Sequence, residues 1–437
     1  MKKLILAVID GLTPSMLESS LDRRALPTLS ELAGHGSYCR AVSVFPSLTP
    51  VCLSSIVTGT FPDAHGIPHL VWWHRDEQRL VEYGSSFGAV RAAGVVQTLS
   101  DTMLGLSRDH LSADTLTLFE SLADAGLQTA AVNYTAYRGR TRHRSPIPLI
   151  GDVLGPELFF FYNVFDARKT GAPLSWRNRP AGSIDAYATA VGRWLVTRDA
   201  FDFFLFYLSD YDYASHALGP DSAHDVLLRC DQALGELVTA AGGMDAFLDR
   251  YAIVVMADHG QSAVADTVDL RHTLSGIAGA RVTASNRAGM VYAERGAIEA
   301  VVNALVRERG VDVALHLDED WAVAHRREGR VAFRPLTGGA FELEGDLELE
   351  HPDALRRAWH ALHGPHAGEV LVSAAEGWEL ADLGGRHHAG GGSHGSLAEA
   401  DSLVPVLSVG TEVDVASITD VAPAIRQHFG RVPIMRR

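Results

Sequence analysis

The amino-acid sequence predicts an α/β protein with a doubly wound, mostly parallel central sheet, helices on both faces and an α+β insertion. Short apolar runs of Val, Ile, Leu, Phe and Ala recur along the chain, amphipathic stretches lie between them, and polar side chains follow several runs directly. Continuous apolar runs are typical of strands buried on both faces of a parallel sheet. Alternation of such strands with helices supplies the covering layers of that sheet.

Six apolar runs are the predicted strands of the central sheet: Leu4–Ile9, Thr129–Asn133, Phe201–Leu208, Ala252–Ala257, Val370–Ala374 and Val404–Val409. The predicted helices between them include Leu26–Ala33, Ile184–Val196 and Ala223–Ala240. Ligands of open α/β sheets bind beyond the carboxyl ends of the strands. We therefore expect the functional side chains directly after these runs.

The chain is predicted to form one core, residues 1–268 and 366–437, interrupted by an α+β cap region, residues 269–365. The inserted part has mixed charge runs such as Arg326–Arg330, a turn at Gly338–Gly339 and a short alternating strand at Arg330–Arg334. Beyond it, we expect Val370–Ala374 and Val404–Val409 to return to the central sheet.

Composition excludes several classes of protein. The 437 residues are 47% hydrophobic and 21% charged, which is typical of a globular chain and excludes intrinsic disorder. The 53 acidic residues outnumber the 38 Lys and Arg residues, which argues against binding to a nucleic-acid polymer. Three cysteines without a CxxC pair disfavour a disulfide framework.

The apolar runs are all shorter than the roughly 20 residues of a membrane span. The first residues, MKKLILAVIDG, lack the length and the cleavage site of a secretory signal. We therefore expect a cytoplasmic protein that does not act at a membrane.

Two polar residues follow apolar segments in the first part of the chain. Asp10 ends the first predicted strand, where it is either a ligand-binding carboxylate or a turn residue. Thr49 and Pro50 predict a helix start, with Thr49 as the N-cap and Gly59 beyond the end. A threonine hydroxyl is a poor nucleophile unless a base or a metal lowers its pKa. A catalytic Thr49 therefore requires metal ions nearby.

Two Asp/His pairs lie after later predicted strands. Asp212 and His216 are four residues apart, so both side chains share one face of a helix and suit zinc, although a helix cap with a surface histidine is an equal alternative. Asp258 and His259 end an apolar strand, where a buried pair needs a partner. That partner is a metal ion or another hydrogen-bonding group.

A late histidine, His394, lies in the glycine-rich segment GGGSHGS. An imidazole in such a loop is either exposed and without function or drawn inward by a metal. His387 and His388, which lie nearby in the sequence, are alternative candidates for the same role.

The order of these motifs resembles the alkaline phosphatase superfamily, and most closely its type I phosphodiesterase/nucleotide pyrophosphatase branch. The resemblance covers Leu4–Ile67, Phe201–Ser262 and Val370–Ala424. The segments that carry it are IVTGTFPDAHGI, DYASHALGP, ADHGQ and GSHGS. The sulfatase branch is disfavoured, because it requires Cys-x-Pro-x-Arg at the nucleophile.

The resemblance implies two divalent metal ions, zinc or alternatively manganese. One ion would be held by Asp212, His216 and His394. The other would be held by Asp10, Asp258 and His259, with the Thr49 oxygen directed at it. The implied activity is hydrolysis of small-molecule phosphate diesters or nucleotide pyrophosphates through a phospho-threonine intermediate. A phosphomonoesterase, a phosphonate hydrolase and a weakly active metal-binding homologue remain as alternatives, and homo-oligomerisation stays open.

Three residues are candidates for substrate binding. The resemblance implies a donor to a phosphoryl oxygen three residues after Thr49, where this chain has Cys52, a weak donor. Trp73 follows HGIPHLV and would stack a base, with burial in the core as the alternative. Arg138 belongs to a cationic stretch after a predicted strand and would bind a second anionic group, unless the stretch is a solvated loop.

Overall fold

The computed structural model describes residues 2–145, 151–161, 183–385 and 388–430. Its centre is a seven-stranded sheet in which the order of strands differs from their order in the chain. From one edge to the other, the strands are Ser37–Val42, Leu403–Val409, Tyr251–Met256, Lys3–Ile9, Phe203–Leu208, Thr129–Val132 and Leu158–Phe160.

The central sheet is mostly parallel. Lys3–Ile9 pairs in parallel with both Phe203–Leu208 and Tyr251–Met256, and the register aligns Ile9 with Leu208. Only Leu403–Val409 runs against its two neighbours. Five of the six predicted strands therefore belong to this sheet, and the fold class predicted from the sequence is confirmed.

Helices cover both faces of the central sheet. Ile184–Arg198 packs against His224–Ala241, and Thr49–Thr58 packs against Val421–His428. The other α-helices are Pro14–Asp22, Pro27–Gly34, Pro62–His65, Phe87–Ala93, Val95–Ser100, Leu118–Asp124, Asp210–Leu218, Met244–Arg250, Leu270–Thr273, Ile298–Leu305, Ala354–Leu362 and Glu399–Ser402. A π-helical segment spans Asp101–His110, and single 3₁₀ turns span Pro220–Ser222, Arg295–Ala297 and Ile418–Asp420. In the described residues, no helix is both long and apolar enough to cross a bilayer.

A second seven-stranded sheet is formed by the region after residue 280. In order across the sheet, its strands are Arg281–Ser285, Ala288–Tyr292, Val370–Ala374, Val311–Asp318, Trp321–His325, Arg330–Pro335 and Phe341–Gly345. The predicted strand at Arg330–Arg334 is confirmed. Short two-stranded sheets pair Val71–His74 with Arg79–Glu82, Thr141–His143 with Val153–Gly155, Ser262–Ala263 with Gly392–Ser393, and Asp266–Val268 with Trp378–Leu380.

The expectation that Val370–Ala374 returns to the central sheet is wrong. This strand lies inside the second sheet, antiparallel to Ala288–Tyr292 and Val311–Asp318. All five of its residues are buried, so its apolar run is equally compatible with a place in either sheet. The choice of partner depends on long-range pairing, which a local pattern does not contain.

A buried ion pair joins the second sheet to the central one. Arg287, in the turn before Ala288–Tyr292, donates from Nη1 to Asp401 Oδ1 at 2.8 Å, and both side chains are fully buried. The backbone N–H of Arg287 also donates to the His394 carbonyl at 2.8 Å. The turn at Ser285–Ala288 is therefore held against the edge of the sheet where the predicted site residues lie.

Candidate active site

The predicted metal ligands gather at the carboxyl ends of three adjacent strands of the central sheet. Asp10 follows Lys3–Ile9, and the pair Asp258 and His259 follows Tyr251–Met256. The helix Asp210–Leu218 begins just after Phe203–Leu208 and carries Asp212 and His216, as the four-residue spacing predicts. Because these strands are parallel neighbours, their ends meet at one edge.

Thr49 is the first residue of the helix Thr49–Thr58 rather than its N-cap. The N-cap is Leu48, and Gly59 ends the helix in the left-handed conformation, as predicted. Val51 and Cys52 both donate their N–H groups to the Leu48 carbonyl, and Pro50 has none. Among the described residues, the N–H of Thr49 is thus the one donor at this helix start that has no partner.

His394 reaches the site through a short strand pairing. Gly392–Ser393 pairs antiparallel with Ser262–Ala263, directly after the Asp258–His259 motif. His394 is 1% exposed, so its imidazole lies inside the protein and not on an exposed loop. The ring of His388 lies next to that of His216, with 4.3 Å between centroids and 32° between planes. His387 lies outside the described residues.

The imidazole of His259 contacts the threonine and two carboxylates. Its Nε2 atom lies 3.1 Å from Thr49 Oγ1, 3.2 Å from Asp10 Oδ1 and 3.6 Å from Asp258 Oδ2. The ring of His394 stacks on His259 with 3.6 Å between centroids. One nitrogen therefore lies next to the hydroxyl and to two acidic side chains.

Asp212 connects this group of residues to the other two histidines. Its Oδ2 lies 3.3 Å from His216 Nε2, and its Oδ1 lies 3.8 Å from His394 Nε2. The carboxylate of Asp212 therefore faces two imidazoles from different parts of the chain.

All three histidines are oriented by main-chain carbonyls. The Nδ1 atoms of His216, His259 and His394 lie 2.8, 3.0 and 2.8 Å from the carbonyls of Gly392, Gly260 and Ser47. A carbonyl accepts only, so Nδ1 of each ring carries a proton, and Nε2 is the atom that would ligate a metal ion when it is unprotonated. Metal-ligating histidines commonly have this second hydrogen bond.

Two carboxylate oxygens of the site are buried without a hydrogen-bond partner among the described residues, namely Asp10 Oδ1 and Asp258 Oδ2. Burial, followed by repulsion from neighbouring carboxylates, raises the pKa of Asp10 well above its usual value and that of Asp258 to about 7. The other oxygen of each carboxylate accepts hydrogen bonds, and His259 Nε2 faces both of the oxygens without a bond at 3.2 and 3.6 Å. Several buried carboxylates so close together are unfavourable without positive charge to offset them. A metal ion would supply that charge.

The pKa values of His216 and His394 are shifted in opposite directions. Burial lowers the pKa of His216, but the Asp212 carboxylate more than offsets this effect, and the pKa rises to about 9. Burial, followed by repulsion from His259, holds the pKa of His394 well below its usual value. Neutral His394 is the form that ligates a metal ion.

Two sets of three side chains are compact enough to hold an ion. The ligand atoms of Asp212, His216 and His394 lie within 4.8 Å of one another, and so do those of Asp10, Asp212 and His259. The first set is the predicted one. In the second set, Asp212 takes the place of Asp258. The Oδ2 atom of Asp258, which has no hydrogen-bond partner among the described residues, lies 3.6 Å from His259 Nε2. Carboxylate and imidazole donors in these numbers suit a divalent metal ion.

Three further residues contact the site and were missed in the sequence. The Tyr207 hydroxyl donates to Asp10 Oδ2, Gln261 Nε2 donates to Asp212 Oδ1, and Asn286 Nδ2 lies 3.0 Å from His394 Nε2. Tyr207 lies at a strand end and Gln261 directly follows Asp-His-Gly, so their places in the sequence could have indicated that they belong to the site. Asn286 lies in a turn of the second sheet and has no local signal.

A cavity of about 330 Å³ opens at the site. Its lining includes Thr49, Asp10, Asp212, His216 and His394, together with neutral polar and apolar side chains. Within the described part of the chain, no Lys or Arg lines this cavity. The arrangement offers acidic and imidazole ligands on one side and an uncharged surface on the other.

The structure does not bring Cys52 into the cavity. Cys52 is fully buried, and its Sγ lies 3.2 Å from Ser43 Oγ. Cys52 is thus in contact with Ser43 and is absent from the described lining of the cavity.

Trp73 and Arg138 are also absent from the described lining of the cavity. Trp73 lies beneath Arg281, whose guanidinium carbon is 3.3 Å from the ring centroid. Arg138 donates to the carbonyls of Leu111 and Thr115 and to Glu120 Oε2. Each side chain is thus used in a structural contact, which explains the departure from the sequence-based prediction.

Solved structures with the same fold cover nearly the whole chain. Phosphonoacetate hydrolase from Sinorhizobium meliloti 1021, in complex with phosphonoformate, matches with a TM-score of 0.64 and 20% identity over 97% of this chain and 96% of that one. Murine ectonucleotide pyrophosphatase/phosphodiesterase 5 matches with a TM-score of 0.64 and 16% identity, covering 100% of this chain and 97% of that one.

The human form of the latter protein matches with a TM-score of 0.63 and 16% identity over 100% of this chain and 96% of that one. No curated protein matches the sequence significantly. The profile of the family described as type I phosphodiesterase / nucleotide pyrophosphatase matches residues 4–397. The chain is an enzyme of the phosphoric ester hydrolase class and belongs to the type I phosphodiesterase/nucleotide pyrophosphatase family.

Proposed function

We propose that this enzyme hydrolyses phosphate diesters or nucleotide pyrophosphates, with Thr49 as nucleophile and with two divalent cations, zinc or manganese. The observation that carries the proposal is the orientation of three histidines by main-chain carbonyls. The Nε2 atom of His259 faces Asp10, and those of His216 and His394 face Asp212. Such a second hydrogen bond is common in metal-ligating histidines and supports the proposal.

The site residues divide into two ligand sets. Asp212, His216 and His394 would hold one cation, and Asp10, Asp258 and His259 would hold the other, with Asp212 near both. The buried, unpartnered oxygens of Asp10 and Asp258 support this assignment. Two such cations would lower the pKa of the Thr49 hydroxyl and offset the charge on the phosphoryl and departing oxygens.

The chemistry divides into two displacements at phosphorus. In the first, Thr49 Oγ1 releases its proton to solvent and forms a bond to phosphorus, while the bond from phosphorus to the departing oxygen breaks and that oxygen leaves as an anion or takes up a proton. In the second, the oxygen of a water molecule releases a proton and forms the new bond to phosphorus, and the bond to Thr49 Oγ1 breaks and Oγ1 takes up a proton to restore the hydroxyl. The unpaired Thr49 N–H would donate to a phosphoryl oxygen in both steps.

The charge of the cavity favours diesters over monoesters. A diester carries one negative charge, whereas a monoester carries up to two and is usually bound by additional cationic side chains. The described lining offers none. The site charge therefore suits a monoanionic substrate.

A substrate panel on protein with measured metal content tests the proposal. It compares bis(p-nitrophenyl) phosphate, p-nitrophenyl thymidine 5′-phosphate, p-nitrophenyl phosphate and phosphonoacetate. We expect the two diesters to have kcat/KM values at least tenfold above that of the monoester. A faster monoester, or turnover of phosphonoacetate alone, would contradict the proposed substrate class. Metal binding without any turnover would favour the weakly active homologue.

A further inference from the structure

Asn133 is a buried amide without a hydrogen-bond partner. It directly follows the strand Thr129–Val132, is 3% exposed, and uses its backbone N–H to reach the Phe160 carbonyl at 2.9 Å. Neither Oδ1 nor Nδ2 of its side chain has a partner among the described residues. Leaving a buried amide unpaired costs on the order of 1–3 kcal/mol. A ligand group that paired with it would recover that cost.

The backbone at Asn133 does not by itself account for the amide. Its φ of +55° lies in the left-handed region, which Asn tolerates better than most residues. Asn in that conformation often bonds to nearby backbone, but here the side chain makes no such bond. Glycine would satisfy the conformation equally well, so the amide is available for another role.

Asn133 lines the same cavity as Thr49 and Asp10. Its strand is the second one from Lys3–Ile9 across the sheet. With neighbouring strands about 4.8 Å apart, Asn133 lies roughly 10 Å to the side of the strand that carries Asp10. This lateral offset from the strand that carries Asp10 suits a group on an ester substituent rather than a ligand of the metal site.

Apart from the two carboxylates and three histidines at the candidate metal site, the described lining of this cavity is uncharged. Thr135, Thr102 and Ser85 supply hydroxyl groups, and Leu106 and Phe161 supply apolar surface. The described lining has no Lys or Arg to pair with a carboxylate or a second phosphate. An uncharged substituent with its own hydrogen-bonding group is thus the best match.

We propose that Asn133 forms a substrate subsite that binds an uncharged, hydrogen-bonding group, such as an amide or a hydroxyl, on an ester substituent of the phosphodiester. This inference rests on the proposed diesterase function. It adds a specificity element that lies apart from the metal ligands and from Thr49.

Three p-nitrophenyl diesters with the same leaving group test the subsite. Their second substituents are 2-acetamidoethyl, butyl and 3-carboxypropyl, which differ mainly in polarity and charge. For the wild-type enzyme we expect the acetamidoethyl diester to exceed the butyl diester about tenfold in kcat/KM, the scale of one buried hydrogen bond. The carboxypropyl diester should be the poorest of the three.

Two variants separate the effect of the Asn133 side-chain amide from the effect of its backbone conformation. Asn133→Gly retains the left-handed conformation and removes the amide, and Asn133→Asp retains the shape and replaces the donor by an acidic oxygen. In Asn133→Gly, we expect the ratio of the kcat/KM values for the acetamidoethyl and butyl diesters to fall towards one. In Asn133→Asp, we expect the kcat/KM of the carboxypropyl diester to fall further below the values for the other two diesters. Thermal unfolding of both variants checks that they fold.

The outcomes distinguish the two proposals. If Asn133→Gly lowers kcat/KM of the butyl and acetamidoethyl diesters by the same factor, the subsite is wrong while the diesterase stands. Wild-type preference for the carboxypropyl diester would also overturn the subsite. If the metal-loaded wild-type enzyme hydrolyses none of the three diesters, the diesterase function itself is wrong, and the subsite falls with it.

Discussion

His259 and His394 stack face to face, with 3.6 Å between their ring centroids and 9° between their planes. The first follows a central strand, and the second comes from the glycine-rich segment near the end of the chain. Two protonated imidazoles at this distance would repel each other, and His259 contributes to the low pKa of His394. Burial, followed by repulsion from His259, thus holds the pKa of His394 low while its Nε2 faces Asp212, and the neutral ring is the state required of a metal ligand.

Removal of the Thr49 hydroxyl tests the covalent route. Thr49→Ala should lower kcat/KM by at least about 10³-fold, because removal of a nucleophile has effects of that scale or larger. Metal content, measured by elemental analysis, should stay near two ions per chain. Thr49→Ser retains a hydroxyl and should keep measurable activity. Substantial turnover by the alanine variant would exclude a phospho-threonine intermediate.

The ligand role of Asp258 is tested by metal content. Asp258→Asn removes the charge of a buried carboxylate whose Oδ2 has no partner among the described residues, so it should lose at least one ion per chain. Asp231→Asn is the matched control. Asp231 is equally buried but accepts the backbone N–H groups of Thr28 and Leu29, and it should retain both ions. Equal metal content in the two variants would remove Asp258 from the ligand set.

Metal removal should destabilise the protein more at high pH. Without cations, the folded-state pKa of Asp258 is raised to about 7 from 3.8, so the folded chain binds this proton more tightly than the unfolded chain. That stabilisation is present below pH 3.8 and is lost as pH rises towards 7. Bound metal removes this loss, and at 100 times its Kd it contributes about 2.7 kcal/mol.

The difference in Tm between metal-loaded and chelator-treated protein should therefore grow from pH 5.5 to pH 8. Thermal unfolding in matched buffers measures this difference. A difference that is constant with pH, or that shrinks, would be inconsistent with metal ions on these carboxylates.

Cys52 should affect stability rather than catalysis. Its side chain is fully buried against Ser43, so Cys52→Ala should lower the free energy of unfolding by about 1–2 kcal/mol through a small cavity. The value of kcat/KM should stay within twofold of wild type. Denaturant unfolding and the diester assay measure the two effects. A large loss of activity in a stable Cys52→Ala variant would show that Cys52 contributes to the substrate site after all.

Buried neutral histidines should make the protein sensitive to acid. Burial lowers the pKa of His65 to about 3 from 6.5, so its neutral form stabilises the fold above pH 6.5 and that stabilisation is lost as pH falls towards 3. At pH 5.5 the loss from His65 amounts to about 1.4 kcal/mol.

Denaturant unfolding at pH 7.5 and pH 5.5 measures this loss, and His65→Gln should show a smaller decrease than wild type. His65 Nε2 lies 3.0 Å from Ser55 Oγ, so the variant should also be less stable at both pH values. An equal decrease in both proteins would show that His65 is not the titrating group.

Most of the central sheet could be predicted because buried parallel strands leave a local pattern. The predicted bounds of Leu4–Ile9 and Ala252–Ala257 differ from the observed ones by one residue at most at each end. Two edge strands, Ser37–Val42 and Leu158–Phe160, were missed. The first is largely exposed and the second has only three residues, so neither produces a long apolar run.

The candidate ligands could be predicted because residue type restricts metal chemistry. Asp212 and His216 share a helix face at a spacing of four, and the Asp-His pair at a strand end needs a partner once it is buried. The substrate side could not be predicted in this way. Trp73 and Arg138 have residue types suited to a ligand, but they are used in contacts with Arg281 and Glu120.

The sequence by itself predicted five strands of the central sheet, the candidate ligands and the helix that begins at Thr49, because these depend on apolar periodicity and on side-chain chemistry within a few residues. Only the tertiary structure decided that Val370–Ala374 joins the second sheet, that Asn286 reaches His394 and that Asn133 lines the cavity with its amide unpaired. These contacts join segments far apart in the chain. They follow from the packing of whole sheets, which no local pattern records.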